Sequence, residues 1–255
     1  MSVFSTPAIL LRRLDYGDYD LILTFLSLRR GKISLIAKSA KKSTKRFAGT
    51  LELFSLIEIV GNTGKRRGLP VLQEAALKSP YSAIRSNIQK TAYASYWCEL
   101  IYSWLEENQE QSQIFYLLKY VLGELDCDAL TPAALSVLFQ MRLLCLSGHC
   151  PNLLTCANCR KDLETIDTQQ VVFDVTRGAI LCQGCMSGSG GRIRLSKGTI
   201  KHLIWFESGN LKKASRVRLG AQALKESIEL LEAFVPYILG IQPRSLKFLK
   251  EIRKA

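Results

Sequence analysis

Residues 7–39, PAILLRRLDYGDYDLILTFLSLRRGKISLIAKS, contain three apolar-rich segments separated by two short polar connections. Segments of this length and composition predict consecutive β-strands. The second connection, RRGK at 29–32, is typical of a tight hairpin, because Gly31 adopts positive φ without a steric penalty. The stretch therefore predicts an antiparallel β-structure at the start of the chain.

Two further apolar-rich segments continue this pattern up to Pro80. In LELFSLIEIV at 51–60, apolar Leu51 and Leu53 alternate partly with Glu52, as expected of a half-buried strand. Five short strands in about eighty residues favour a small barrel, because closure protects sheet edges. The predicted strands are 7–15, 21–28, 32–39, 51–60 and 69–77.

After Pro80 the apolar spacing changes from that of strands to that of helices. Thr131 is expected to cap one helix, Pro132 to be its first residue and Gly148 to end it. The predicted helices are 81–107, 112–125, 132–148, 197–207, 221–239 and 244–254. The fold class is thus multidomain α+β, with a barrel followed by helices and a cysteine-rich insert.

Two Cys-x-x-Cys pairs, CANC at 156–159 and CQGC at 182–185, lie in that insert with 22 residues between them. Each pair directs two sulfurs at one metal ion, and two pairs complete a tetrahedral zinc site. Apolar residues at 171–173 and 179–181 predict the two short strands of a zinc ribbon. The predicted ligands of one structural Zn²⁺ are Cys156, Cys159, Cys182 and Cys185.

Alternatives for the cysteines remain open at this point. A redox pair explains one Cys-x-x-Cys but not two. A catalytic zinc needs an open position, which four cysteines do not leave. A third alternative is a chain that retains the cysteines but has lost the metal. No apolar run approaches the ~18 residues of a membrane span, and the start lacks the features of a signal peptide. We therefore expect a cytosolic protein without disulfides, in which Cys98, Cys127 and Cys145 are small buried residues and His149–Cys150 end a helix.

The net charge of +13 is concentrated at the two ends of the chain. Residues 1–80 and 193–255 each carry a net +8, whereas residues 81–150 carry −3 and residues 151–192 are neutral. This segregation favours a surface for a polyanion: nucleic acid, an anionic membrane or an acidic protein. Only two histidines are present and no nucleotide-binding or hydrolase motif occurs, so nothing indicates an enzyme.

Several motifs, in order, resemble the RecO family of bacterial recombination mediators. They begin with AILLRRLDYGDYDLILTFLSLRRGKISLIAKSAKKSTKRFAGTLELFSLIEI at 8–59 and continue with YASYWCELI at 93–101, the two Cys-x-x-Cys pairs and RSLKFL at 244–249. The resemblance covers nearly the whole chain. One departure is Ser39, where the family more often has glycine.

The resemblance implies an OB-fold at 1–80, a helical domain at 81–150 and 193–255, and a zinc-binding module at 151–192. It implies binding of single- and double-stranded DNA, annealing of complementary strands, and, together with RecR, loading of RecA onto DNA coated by the single-strand-binding protein. The acidic C-terminal tail of that protein is expected to dock on the helical domain. No enzymatic turnover and no membrane are implied, and the location is the bacterial cytoplasm, at the nucleoid.

The stretch AKSAKKSTKRFAG at 37–49 is the leading candidate for phosphate contacts, because it joins two strands and is too polar to pack. Phe47 is expected to point inward. The turn GNTGKRRG at 61–68 lacks the Ser/Thr of a phosphate-binding loop and is interpreted as basic only. The predicted DNA-contacting residues are Lys38, Lys41, Lys42, Lys45 and Arg46, with Arg12, Arg13, Arg29, Arg30, Lys32, Lys65, Arg66 and Arg67 as neighbours on the same surface.

Three alternatives to this function remain. One is a solvated basic loop that has no partner. An RNA-binding OB and zinc-ribbon protein of the ribosome or the transcription machinery has the same features, and comparing DNA and RNA oligomers of one sequence would distinguish it. A nuclease needs clustered metal-binding carboxylates, whereas residues 1–80 hold six acids, three of them in one turn.

Overall fold

The computed structural model describes residues 2–43, 46–63, 68–186, 191–208, 211 and 218–254. The strands are β1 (Ser2–Tyr16), β2 (Asp20–Ser27), β3 (Gly31–Ala37), β4 (Leu56–Thr63), β5 (Val71–Ser79), β6 (Gln170–Asp174), β7 (Ala179–Leu181) and β8 (Arg192–Ser196). The helices are α1 (Ser82–Arg85), α2 (Ile88–Trp104), α3 (Ser112–Asp126), α4 (Pro132–Leu146), α5 (Lys197–Ser208), α6 (Ala221–Leu239) and α7 (Arg244–Ile252). None of the described helices combines the length and apolar character needed to cross a membrane.

Contacts divide the chain into two compact units. The first comprises Met1–Cys127 and Lys247–Ala255, and the second comprises Asp128–Leu246. Helices α2 and α3 therefore group with the barrel, a division that differs from the boundaries expected at residues 80, 150 and 192. The division into 1–80, 81–150, 151–192 and 193–255 stays a prediction about the functional parts of the chain.

The five N-terminal strands form the predicted OB-like barrel, with the order β1-β2-β3-β5-β4 and β4 returning to β1. All neighbouring strands are antiparallel except β3 and β5. Those two strands are parallel and share one register pair, Ile36 with Val71, next to a hydrogen bond from Ile36 N to Pro70 O at 2.9 Å. The five-stranded architecture predicted from alternation is confirmed. The pairing of β3 with β5, which closes the barrel, has the fewest paired residues.

Strand β1 pairs with two partners along different parts of its length. Ser2–Ile9 pair with β4, and Ala8–Tyr16 pair with β2. The register with β2 shifts between Leu10 and Arg12, as at a β-bulge, which bends the strand and increases its twist. From Arg12 onward β1 has left β4, so the β1–β2 hairpin extends beyond the barrel and its residues from Arg12 to Tyr19 are exposed.

The barrel core contains Leu10, Leu23, Phe25, Leu35 and Ile59, each with no exposed surface. Phe47 belongs to the same core with 4% of its surface exposed, so the inward orientation predicted from the sequence is confirmed. Several predicted strand boundaries are wrong, and β1 begins at Ser2 rather than Pro7. β3 ends at Ala37 because Ser39 has φ 53°, and β4 begins at Leu56 because Phe54, at φ 72°, turns the chain.

The helical pattern predicted over 81–107 is interrupted in the structure. α1 ends at Arg85, and α2 begins at Ile88 because the Asn87 side chain accepts a hydrogen bond from Lys90 N at 3.1 Å and caps the helix. Trp97, Tyr93 and Tyr96 of α2 are almost fully buried. The helical spacing of apolar residues predicted after Pro80 is therefore confirmed for this helix, and the capping residue was missed.

In the second unit, α4, α5 and α6 pack on one another, and both α5 and α6 contact β8. Thr131 Oγ1 accepts from Ala134 N, Pro132 is the first residue of α4 and Gly148 follows its end at φ 78°, as predicted. The three-stranded sheet has the order β7-β6-β8. Strands β6 and β7 were predicted, whereas β8 was not.

Two expectations about the cysteines outside the metal pairs are wrong. Cys145 and Cys150 form a disulfide, because the turn after α4 reverses the chain and brings their Cα atoms to 4.1 Å. Cys127 is exposed rather than buried, since it follows the last turn of α3. Cys98 is buried in α2 as expected, and burial raises the pKa of its thiol.

The position of Phe47 generates a first prediction. Phe47→Ala removes a buried ring, and core substitutions of this kind cost about 3–5 kcal/mol. Denaturant unfolding should therefore show a loss of unfolding free energy in that range. Lys38→Ala changes an exposed residue of the same segment and should alter stability by less than about 0.5 kcal/mol. Equal stabilities of the two variants would contradict the anchoring role of Phe47.

Candidate nucleic-acid interface and metal centre

The two Cys-x-x-Cys pairs converge in the second unit. The sulfur atoms of Cys156, Cys159, Cys182 and Cys185 all lie within 4.8 Å of one another. The Sγ atoms of Cys159 and Cys182 are 3.6 Å apart. Zinc–sulfur bonds of about 2.3 Å in a tetrahedron place neighbouring sulfurs about 3.8 Å apart, so the donor set fits one tetrahedral metal ion.

Backbone hydrogen bonds hold each pair in a tight turn. Arg160 N donates to Cys156 O at 3.0 Å, with Arg160 at φ 61°, and Cys185 N donates to Cys182 O at 3.0 Å. The first turn is attached to β7 by a bond from Ala157 N to Ile180 O at 2.9 Å. The β6–β7 hairpin and the two turns together fix the positions of the four sulfurs.

The environment of the cluster also favours a thiolate. Burial raises the pKa of the Cys156 thiol, but hydrogen bonds from the backbone amides of Cys159, Cys182 and Asn158 outweigh burial and lower that pKa to about 6. Hydrogen bonds with the Cys182 and Cys159 side chains raise the pKa of Cys185 to about 12. The four sulfurs thus resist carrying several negative charges together, and a bound cation would relieve that repulsion.

The predicted basic segment folds as a turn against the tip of the β1–β2 hairpin. A short 3₁₀ helix, Ala40–Lys42, follows Ser39. Lys41 N donates to Tyr19 O at 3.0 Å, and Ser39 N donates to Asp20 Oδ1 at 2.7 Å. We call the exposed hairpin residues 12–20 together with the described residues of 38–46 the basic tip.

Two lysines of the basic tip have partners within it. Lys41 Nζ lies 3.2 Å from Asp15 Oδ2 and 3.5 Å from Gly17 O. Lys42 Nζ lies 3.3 Å from the centroid of the Tyr19 ring, a cation–π contact. Both contacts lie at the surface, where an ion pair such as that of Lys41 is weak enough to be exchanged for phosphate.

Three more predicted cations lie at the same end of the barrel. Arg46 Nη2 donates to Lys38 O at 2.6 Å, and its guanidinium lies 4.3 Å from the Phe47 ring centroid. Arg13 lies 3.9 Å from Glu52. Lys38 is exposed and has no side-chain partner among the described residues. Lys45 lies outside the described residues.

Arg29 and Arg30 lie in the β2–β3 connection, at the opposite end of β2 from the basic tip. An eight-residue strand spans roughly 25 Å, so these arginines do not share a surface with Lys41 and Lys42. Arg30 lies 4.2 Å from the centroid of the Phe4 ring. The expected single surface is thus divided, because strand direction separates residues that are close in sequence.

Arg12 and Lys32 both contact Tyr102 of α2. Arg12 Nη1 donates to Tyr102 Oη at 2.8 Å, and Lys32 Nζ donates to Tyr102 O at 2.7 Å. These two cations therefore connect the outside of the barrel to α2, a structural role that sequence reasoning missed. Lys65, Arg66 and Arg67 lie outside the described residues. A role of any of these cations in binding DNA stays a prediction.

Sequence reasoning also missed Tyr16 and Tyr19, which are 54% and 46% exposed at the basic tip. The signal was present in the turn sequence DYGDYD, where two aromatic residues flank a glycine turn. That turn was interpreted only through its acids. Asp20, one of those acids, accepts the hydrogen bond from Ser39 N.

Comparisons with known proteins agree with this arrangement over the length of the chain. Residues 1–81 match the family described as Recombination protein O N terminal, and residues 85–247 match Recombination protein O C terminal. A "DNA repair protein RecO" of Desulfosudis oleivorans is 42% identical over 258 residues, covering 99% of each chain. Proteins of that name from Desulfatibacillum aliphaticivorans (43%, 100% and 99% covered) and Anaeromyxobacter dehalogenans (33%, 96% and 94% covered) are also similar.

The fold and the cysteine cluster define a protein class with an N-terminal OB-like barrel, a helical region and a four-cysteine metal-binding centre. With family matches over both parts of the sequence and relatives aligned over nearly their full length, the particular family follows. The chain belongs to the RecO family of recombination proteins.

The cysteine cluster generates a second prediction. Metal analysis of the purified protein should give about one divalent ion per chain, and Cys182→Ser should lower the melting temperature. Metal binding at such centres contributes on the order of 10 kcal/mol to the folding of the surrounding module. Cys127→Ser, which alters an exposed thiol outside the cluster, serves as the control and should leave both measurements unchanged. A well-folded chain without metal would rule out the centre.

Proposed function

We propose that the protein is a mediator of DNA repair by homologous recombination that binds single- and double-stranded DNA and anneals complementary strands. The observation that carries the proposal is the basic tip. Its described residues include six Lys/Arg and three Asp, at the exposed end of an OB-like barrel. Small barrels of this type bind single strands through basic grooves that follow the phosphates.

The acids of the basic tip leave it with a net positive charge. Asp15 is paired with Lys41, and Asp20 accepts from Ser39 N, so two of the three carboxylates are already neutralised or hydrogen-bonded within the protein. Lys38 and Lys42 are exposed. Together with Arg46, they provide three cations on one short segment, and Lys/Arg side chains are the groups that contact a phosphate backbone.

The metal of the four-cysteine centre is, in this proposal, one structural zinc. Four sulfur donors with tetrahedral spacing match the preference of zinc and leave no open position for a substrate. Bound zinc supplies cross-linking: Cys156 and Cys159 hold one turn, Cys182 and Cys185 hold the other, and the β6–β7 hairpin is fixed between them. The proposal contains no catalytic step.

Membership of the family supports a proposal about partners. We propose that the chain acts with RecR to help load RecA onto DNA coated by the single-strand-binding protein, and that the acidic C-terminal tail of that protein docks on the helical region. The net +8 of residues 193–255 supports a site for an acidic tail or a second DNA strand. The expected location is the bacterial cytoplasm, at the nucleoid.

A salt titration tests the contribution of the basic tip. Lys38→Ala with Lys42→Ala removes two exposed cations, and each lost phosphate contact changes the slope of log affinity against log salt by roughly 0.7 for single strands. The double variant should therefore flatten the slope by about 1.4, with an unchanged melting curve. The control, Lys78→Ala with Lys119→Ala, removes two exposed lysines elsewhere and should change the slope by much less.

Two results of such binding measurements would contradict the proposal. Equal slopes for the two double variants would show that the basic tip is a solvated surface and that DNA binds elsewhere. Tighter binding of an RNA oligomer than of a DNA oligomer with the same sequence would favour an RNA-binding protein instead.

Annealing provides a further prediction. The full chain should anneal complementary oligonucleotides, including ones coated by the single-strand-binding protein, without ATP. The physical reason is that one protein with two cationic regions can screen two phosphate backbones at once. A fluorescence-quenching assay of strand pairing measures the rate. A requirement for ATP, or annealing no faster than that of the free strands, would count against the mediator function.

A further inference from the structure

The aromatic residues of the barrel differ sharply in exposure. Phe25, Phe47 and Phe54 are at most 4% exposed. Tyr16 and Tyr19, in contrast, are about half exposed, and they lie three residues apart across the β1–β2 turn. Nothing in the packing of the barrel requires these two rings, since both lie on the part of the hairpin that extends beyond it.

The backbone beneath the two rings is held at several points. Tyr16 is paired in register with Asp20. Asp20 in turn accepts from Ser39 N, and Tyr19 O accepts from Lys41 N. The ion pair of Lys41 with Asp15 adds a side-chain link between the turn and the hairpin. The rings are therefore presented by a cross-linked tip and not by an unsupported loop.

The chemistry around Tyr19 is that of a stacking residue. The Lys42 ammonium lies 3.3 Å from the ring centroid and covers one face, while 46% of the residue remains exposed. Lys42 can contact a phosphate while the remaining ring surface meets a base. Single-strand binding sites in other proteins combine these two elements, cations for the backbone and aromatic rings for the bases.

We propose that Tyr16 and Tyr19 stack on bases of single-stranded DNA, while Lys38 and Lys42 beside them contact its phosphates. This inference rests on the proposed function and assigns the residues that distinguish a single strand from a duplex. In a duplex the base faces are stacked on one another and are not available to the rings. The basic tip then binds duplex DNA through its cations alone, and single strands through both cations and rings.

The test compares two oligomers that carry the same number of phosphates: oligo(dT) and an abasic-spacer oligomer of the same length. Tyr16→Ala with Tyr19→Ala should weaken binding of oligo(dT) by roughly five- to 150-fold for each ring that stacks. Binding of the abasic oligomer should weaken far less, because only the orientation of Lys42 by the Tyr19 ring is lost. Tyr16→Phe with Tyr19→Phe keeps the rings and should bind oligo(dT) as the native protein does.

Two further variants separate stacking from damage to the fold. Tyr116→Ala removes an equally exposed tyrosine from α3 and should leave binding of both oligomers unchanged. Asp18 is exposed between the two tyrosines and has no partner among the described residues. Asp18→Asn removes a charge that repels phosphate without touching a ring, so it should tighten binding of both oligomers by the same factor.

The outcomes distinguish this inference from the function on which it rests. If the native chain binds neither oligomer, the proposed function fails. If it binds both and the double alanine variant weakens them equally, the rings support the turn and do not stack. Native-like binding of oligo(dT) by the double alanine variant would likewise overturn the stacking role.

Discussion

The barrel depends on β1, which is longer than any strand that pairs with it. Its 15 residues face eight in β2 and eight in β4, so neither partner covers it along its whole length. The shift in register between Leu10 and Arg12 marks the point at which β1 leaves β4 and continues with β2 alone. Leu10 O and Leu10 N are then satisfied by Phe54 N and Ser55 O, so the chain before β4 completes the hydrogen bonding at the bend. The exposed hairpin tip, and with it the basic tip, exists because β1 pairs with β2 further along the chain than it pairs with β4.

In the second unit, the metal centre supports the small sheet formed by β6, β7 and β8. Strands of five, three and five residues bury little surface by themselves, and modules of this size usually need a metal or a disulfide. Phe173 of β6 nevertheless packs edge-on against Phe234 of α6, with ring centroids 5.2 Å apart. Gly178 lies against the same ring, since a Cβ there would approach Phe234 to 3.0 Å. The β6–β7 hairpin is thus held in two ways: by the cysteine turns next to β7 and by the contact of Phe173 with α6.

Most of the architecture could be predicted from the sequence because it is encoded in local patterns. Alternating and helical spacings located the five barrel strands and the described helices, and cysteine spacing located the four sulfurs that converge. The errors occur where one side chain or turn, and not the apolar spacing, decides the structure. Asn87 interrupts a continuous apolar pattern, and Cys145 meets Cys150 only because a turn follows α4. The predicted cationic surface is divided because strand direction, which composition does not encode, sends Arg29 and Lys41 to opposite ends of β2.

The intramolecular contacts of the lysines at the basic tip lower the entropy cost of binding a polyanion. Lysine loses up to about 2 kcal/mol of side-chain conformational entropy when it is fixed, a cost that a flexible loop incurs entirely on binding. Here Asp15 already orients Lys41, and the Tyr19 ring already orients Lys42. Part of the side-chain entropy is therefore lost during folding and not during binding. An exposed ion pair is worth only about 0–1 kcal/mol, and a phosphate can replace the carboxylate at little loss. The Tyr19 ring need not be displaced at all, since a cation on its face keeps donors free for phosphate. The intramolecular contacts of these cations are therefore compatible with DNA binding and favour a tip that is already arranged before DNA arrives.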